Sequence, residues 1–333
     1  MSEHHTNVLI VGAGMAGLMA AGVLAEQGVK PLIVDKGRSV GGRMATRRVE
    51  GGLADHGAQF FTVRSSRLAA YCARWQAAEL VYRWGQGFSD GSLGEATDGH
   101  PRYAVHGGMN ALTRYLASEL GDRADIRVNV TLTSIVADET GWWATDSSGE
   151  VYRANALLMT PPVPQSLALV GNSLTPEDRA ALERITIAPC LCGMFKIEGE
   201  TTLPTPGALQ HPDGEITWIA DNQRKGISPN ARIITVHAGP AYSQLIYDWP
   251  EADVLDRMQE ELEQWLAPEA RIVYREYKRW RYALPTVRHP ERSLVAEAVP
   301  LLVFAGDAFM EARVEGAVLS GLTAAEDILT RLR

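Results

Sequence analysis

The sequence predicts an α/β fold in which a Rossmann-type βαβ dinucleotide-binding sheet is joined to a second domain built on a mixed sheet. Three observations lead there. An apolar run, Asn7-Val8-Leu9-Ile10-Val11, ends on glycine, as a strand buried on both faces of a parallel sheet does. Residues 15–27 are small, apolar and rich in helix formers, and Gly28 stands where a helix-ending glycine belongs. Pro31-Leu32-Ile33-Val34 is again strand-like and stops at Asp35, so strand, helix and strand fill about 30 residues, the span of one βαβ unit.

The remaining elements follow in order. Helical patterns cover residues 65–76 and 109–120, with a loop-like stretch at 85–99 between them. Residues 127–137 and 142–146 read as two antiparallel strands joined by a turn containing Gly141. A buried strand at 152–160 is broken by Pro161-Pro162, which is where the chain is expected to cross between domains. From 188 to 280 strand-like runs alternate with turn clusters around a helix at 251–266, a mixed-sheet pattern. Leu301-Leu302-Val303-Phe304-Ala305 returns to the first sheet, and residues 314–332 close the chain as a helix. The cofactor domain is therefore expected to be discontinuous, from residues 1–64, 103–163 and 293–333, with residues 65–102 and 164–292 forming the substrate domain.

Composition narrows the function. The 333 residues are 46% hydrophobic and 22% charged, with a net charge of -8, so a core is affordable and a general nucleic-acid surface of clustered Lys and Arg is not expected. Cys72, Cys190 and Cys192 show no metal-ligand spacing, which points to a reducing compartment, the cytoplasm, and to no metal. The apolar N-terminal stretch is interrupted by Gly12, Gly14 and Gly17 and has no basic leader, so it reads as fold, and no run reaches the roughly 18 residues of a membrane span.

The chemistry begins at Gly12-Ala13-Gly14-Met15-Ala16-Gly17, between the first strand and the first helix. Its glycines permit the tight turn, the approach of a pyrophosphate to the backbone and the packing of helix on strand, while the helix N-terminus faces phosphate. Asp35 follows Gly17 by 18 residues, where a carboxylate can accept both hydroxyls of an adenosine ribose. Lys36 and the basic glycine loop Gly37-Arg38-Ser39-Val40-Gly41-Gly42-Arg43-Met44 come directly after it.

That second cluster resembles the second glycine motif of amine-oxidase-like FAD flavoproteins, which share their fold class with p-hydroxybenzoate-hydroxylase-like enzymes. Gly306-Asp307 and the helix opening at Arg313-Val314-Glu315-Gly316-Ala317 resemble the C-terminal FAD segment of the same superfamily. Within it, Ala54-Asp55-His56-Gly57-Ala58-Gln59-Phe60-Phe61-Thr62, Gly108-Met109, Trp280-Arg281-Tyr282-Ala283 and Leu319-Ser320-Gly321 resemble the renalase family, especially its bacterial forms. The resemblance implies FAD held by Gly12, Ala13, Gly14, Met15, Ala16, Gly17, Asp35, Lys36, Gly42, Arg43, Gly57, Ala58, Gln59, Phe60, Leu132, Gly306, Asp307, Val314, Glu315 and Ala317. It is expected to be non-covalent, because no cysteine lies in the C-terminal segment.

The same resemblance implies oxidation of dihydronicotinamide dinucleotides carrying hydride at position 2 or 6, with O2 regenerating the flavin and forming peroxide. Phe60, Phe61, Thr62, Arg64, Cys190, Trp280, Tyr282 and Arg313 would meet the substrate. The substrate ring becomes aromatic on losing hydride, so a placed flavin matters more than an acid–base pair. His56 is the one acid–base candidate, with His106 behind it. The chain departs from the renalase pattern at Val105, at Ala308-Phe309 and across residues 85–99. Two other readings stay open: an amine oxidase or desaturase of the same superfamily, and a non-catalytic flavin-binding redox sensor with Cys190 and Cys192 as its responsive pair.

Overall fold

The computed structural model describes residues 3–91, 99–297 and 300–332. Its first half contains β1 (Glu3–Val11), α1 (Met15–Glu26), β2 (Leu32–Val34), β3 (Thr46–Val49), β4 (Gly52–Asp55), α2 (Ser66–Ala77), β5 (Val81–Gly85), β6 (Arg102–Val105), α3 (Asn110–Leu120), β7 (Asp125–Arg127), β8 (Leu132–Asp138), β9 (Gly141–Asp146) and β10 (Val151–Met159). There follow α4 (Val163–Val170), α5 (Pro176–Glu183), β11 (Thr186–Glu198), β12 (Ala208–Gln210), β13 (Ile216–Asp221), β14 (Arg232–Ala238), α6 (Pro240–Leu245), α7 (Glu251–Glu263), β15 (Arg271–Val287), β16 (Leu294–Val295), β17 (Leu301–Phe304) and α8 (Arg313–Arg331).

These elements group into two compact units: Met1–Arg43, Thr113–Ile187 and Pro285–Arg333 in the first, Met44–Leu112 and Ala188–Leu284 in the second. The first is the doubly covered sheet that the apolar runs predict. Its strands lie in the order β16-β17-β10-β1-β2-β7, with β9 on β10 and β8 on β9. β1 runs parallel to β2 and β10, and β10 parallel to β17. Successive β1 residues face opposite ways. Val8 and Ile10 join Leu18, Leu24 and Ile328 of α1 and α8, while Leu9 and Val11 join Trp142, Val163 and Leu182. Both faces are buried, which is why the strand shows no polar alternation.

The second unit is built on an antiparallel sheet in the order β12-β13-β14-β11-β15. Here β11 does alternate. Leu191, Phe195 and Ile197 pack with Val254, Met258 and Leu262 of α7, whereas Cys192 and Met194 turn to Val49 and Ala54 of the β3–β4 hairpin.

Several expectations change. Residues 127–137 are not one strand: Arg127 ends β7, which pairs parallel with β2, and β8 starts only at Leu132. Asn129 makes the break at φ +60, a left-handed conformation that asparagine tolerates, and its N–H donates to Gly37 O. Pro161-Pro162 is not the crossing point; Pro162 caps α4, which with α5 stays in the first unit, and the chain crosses inside β11 between Ile187 and Ala188. Residues 44–64 and 103–112 group with the second unit, and residues 164–187 and 285–292 with the first, where the sequence divided them otherwise. Of the loop expected at 85–99, residues 92–98 lie outside the described residues; ahead of them Ser89 forms a bridge to Leu209. Among the described residues no helix is long and apolar enough to cross a membrane.

Candidate active site

In the first unit both glycine motifs meet at the C-terminal ends of β1 and β2. Gly12 has φ +103, and a Cβ there would lie 2.4 Å from Thr160 Oγ1. Gly17 is packed harder still: its Cβ would stand 2.0 Å from Gly12 O, so the turn and the first helical turn close only around glycine. At Gly14 a Cβ would meet nothing within 4 Å, and at Gly42 only Gly14 Cα at 3.8 Å. The N-terminus of α1, which has no side-chain cap among the described residues, therefore opens on free space bordered by backbone. Ala13 O accepts from Gly41 N–H at 2.8 Å, tying the two motifs together.

Asp35 helps to fix this loop. Its two carboxylate oxygens accept from Ala13 N–H at 2.7 Å and Gly37 N–H at 2.6 Å, leaving lone pairs for ribose hydroxyls. Lys36 Nζ donates to Gln165 Oε1 at 3.0 Å, and Leu132 is half-buried at the start of β8. Arg43 grips Asp307 with two parallel bonds of 2.7 and 2.6 Å, joining the second glycine motif to the C-terminal segment. Gly306, at φ +138, donates its N–H to Ser320 Oγ at 2.8 Å. Val314 and Glu315 are buried, Ala317 is half-buried and Met15 and Ala16 are buried in α1. Arg313 is exposed at φ +84, a strained conformation for an arginine. An adenine dinucleotide fits this cradle: of the three glycines of the first motif only Gly14 would have nothing within 4 Å of its Cβ, and it stands at the N-terminus of α1, which has no side-chain cap, the kind of helix end that can hold a phosphate.

In the second unit the segment from Asp55 to Phe60 is held rigid. Trp280 Nε1 donates to His56 O at 2.7 Å, and the two rings stack with centroids 5.2 Å apart. Burial, reinforced by the positive charge of Lys278, brings His56 down to about 3, so the imidazole is neutral near neutral pH. Its Nδ1 has no partner among the described residues. Gln59 Nε2 donates to Asp55 O at 2.6 Å and Gly57 O at 3.1 Å; Gly57 and Ala58 are half-buried. Phe60 packs on Phe88 and Trp218, whereas Phe61 turns to Tyr103 and Trp75 and is 2% exposed, a place in the packed core. Thr62 is buried, Arg64 is exposed, and Tyr282 is half-exposed two residues along β15 from Trp280. His106 is exposed and stacks on Tyr82.

The thiols are quiet. Cys190 donates weakly to Ala238 O at 3.7 Å and burial pushes it up to about 12; burial also holds Cys192 well above its ordinary value. Neither is poised as a thiolate. The same unit holds what the sequence did not reveal: a Lys225–Asp55 pair at 2.6 Å, with both side chains 0% exposed. Lys225 Nζ also donates to Gln59 O at 2.5 Å, and Asp55 accepts from Thr46 Oγ1 at 2.5 Å and Met109 N–H at 2.8 Å. Burial lowers Lys225 and the charge of Asp55 opposes that shift. A lysine in a polar turn ordinarily reads as surface, so no sequence signal marked it.

A chain that carries a dinucleotide cradle of this form in one unit and a mixed sheet in the other has the build of a flavin-dependent oxidoreductase. Residues 84–329 match the flavin containing amine oxidoreductases, and residues 10–75 match NAD(P)-binding Rossmann-like domains. The chain belongs to the flavin containing amine oxidoreductase family, and FAD is its cofactor. Hydroxyneurosporene desaturase of Rubrivivax gelatinosus is 44% identical over 57 residues, 17% of this chain, which spans only 11% of that protein's length. Putrescine oxidase bound to putrescine superposes with a TM-score of 0.75 at 15% identity, covering 99% of this chain and 100% of that one. An oxidoreductase from Methanosarcina mazei gives 0.73 at 12% identity over 96% of this chain and 100% of that one. At such identities the likeness is one of fold.

Proposed function

We propose that the protein is a renalase-like oxidase that takes hydride from 2- or 6-dihydro-NAD(P) and, with O2 and one proton, yields NAD(P)+ and H2O2. FAD, when bound, supplies the two-electron acceptor. The observation that supports this reading is that neither His56, which forms one wall of the second unit where it stacks on Trp280, nor Cys190 is poised as an acid or base. His56 is held neutral at about 3 and Cys190 protonated up to about 12, while Lys225 is locked to Asp55. A dihydropyridine suits such a wall, because its ring nitrogen expels the hydride and aromaticity is gained without proton removal by the protein. An alkylammonium donor would first have to lose a proton. The residues of the chain therefore bind and orient: Trp280 is fixed by His56, and Tyr282 and Phe60 lie on the same unit as flat partners for a planar ring.

The yellow holoenzyme should be mixed anaerobically with 2- and 6-dihydro-NAD, with ordinary NADH and with a panel of amines, following loss of the oxidised flavin band. Rapid bleaching by the isomers alone is expected. Slow bleaching by the isomers with fast reduction by an amine would replace the assignment by the amine-oxidase reading.

A further inference from the structure

Between Arg271 and Tyr282, β15 carries Arg271, Arg275, Lys278, Arg279 and Arg281 but only one carboxylate, Glu276. It is also the edge strand of its sheet. Most of these charges are accounted for. Arg271 pairs with Glu198 at 2.5 Å, Arg275 with Asp256 of α7, and Arg279 lies over the ring of Tyr247. Strand alternation sets Glu276, Lys278, Trp280 and Tyr282 on the opposite face, and the contacts agree. Arg47 of β3 pairs with Glu276, and His56 stacks on Trp280.

Arg47 thus engages the lone carboxylate of this face. Lys278 is left half-exposed with its Nζ 5.2 Å from the Trp280 ring centroid, and among the described residues no carboxylate pairs with it. Its charge is felt by two buried titratable groups, His56 and Cys192, neither of which carries a negative charge to balance it. An ammonium held against an aromatic wall without a counter-ion is a binding group for an anion.

We infer that Lys278 anchors a phosphoryl oxygen of the substrate's pyrophosphate, making the enzyme selective for dinucleotides over uncharged dihydronicotinamides. This rests on the substrate class proposed above, but the anion site can be tested without it. Inorganic pyrophosphate is titrated calorimetrically into FAD-loaded wild type, Lys278→Met and Lys278→Arg, each with an unaltered flavin spectrum. Wild type and K278R are expected to bind within about threefold of one another, K278M about tenfold or more weakly, and wild-type binding to weaken with salt. Equal binding by K278M, or none by wild type, would overturn the inference.

A kinetic arm separates the two proposals. With 6-dihydro-NAD, K278M should raise KM about tenfold with kcat little changed, and with a 6-dihydronicotinamide bearing an uncharged N-substituent it should raise neither. Pyrophosphate binding through Lys278 without oxidation of either isomer would leave the anion site standing and remove the substrate reading. Oxidation of the isomers with an unchanged KM in K278M would do the reverse.

Discussion

Asp55 and Lys225 are 2.6 Å apart and 0% exposed, so each depends on the other to remain charged out of water. The pair does more than neutralise itself. Through the bonds from Lys225 to Gln59 O and from Met109 N–H and Thr46 to Asp55, it fixes the segment that carries His56 and Gln59. Replacing Lys225 by methionine leaves a carboxylate buried without a counter-ion, a change that costs about 3–5 kcal/mol. K225M should therefore lose that much in urea unfolding, and the double variant D55N/K225M should recover much of it; equal losses in the single and double variants would mean that packing, not charge, is at stake. The sequence exposed Asp55 only as part of a motif and gave no hint of Lys225, because 170 residues separate them.

Among the elements, α1 and its N-cap carry two glycines, Gly17 and Gly14, that look alike in sequence and differ in what surrounds them. A Cβ on Gly17 would stand 2.0 Å from Gly12 O, inside the fold, whereas one on Gly14 would point into open space. Gly17→Ala should therefore unfold the apoprotein at distinctly lower denaturant. Gly14→Ala should cost the apoprotein no more than about 1 kcal/mol, while its FAD affinity falls at least about tenfold, since the added methyl occupies the space in front of the helix end. Fluorescence titration of the apoproteins with FAD, beside their urea melts, checks both; a Gly14→Ala protein that binds FAD like wild type would take the phosphate away from this helix. Gly321 of α8 follows the same logic as Gly17, for its Cβ would lie 2.2 Å from Ala16 O where α1 and α8 touch. Elements of this kind were legible early, because a glycine at fixed spacing records a local steric demand.

At the scale of the whole molecule, stability is tied to pH through two buried imidazoles. Burial is the main cause for both, with the charge of Lys278 second for His56. Unfolded, each titrates near 6.5; folded, His56 is brought down to about 3 and His237 to about 4. Below 6.5 the unfolded chain binds protons that the folded chain refuses. Their contribution is therefore complete above pH 6.5 and is lost as pH falls toward the folded values, at about 1.4 kcal/mol per pH unit for each group. Unfolding free energies between pH 7 and 5 should show this slope, and His56→Asn should reduce it by about one proton; a slope unchanged in the variant would show that His56 takes up its proton in the fold over the same pH range as in the unfolded chain.

By itself the sequence determined the βαβ unit, both glycine motifs, Asp35 and the returning strand and helix that end the chain. Each is written in periodicity, or in a backbone requirement satisfied within a few residues, so each survives reading in one dimension. Only the tertiary structure decided which distant groups meet. Arg43 finds Asp307 across 264 residues and Trp280 finds His56 across 224. It also moved the domain crossing from Pro161-Pro162 into β11 and cut the expected strand at Asn129. No local pattern encodes such pairings, because they follow from the order in which strands are laid into a sheet and from what each face must bury.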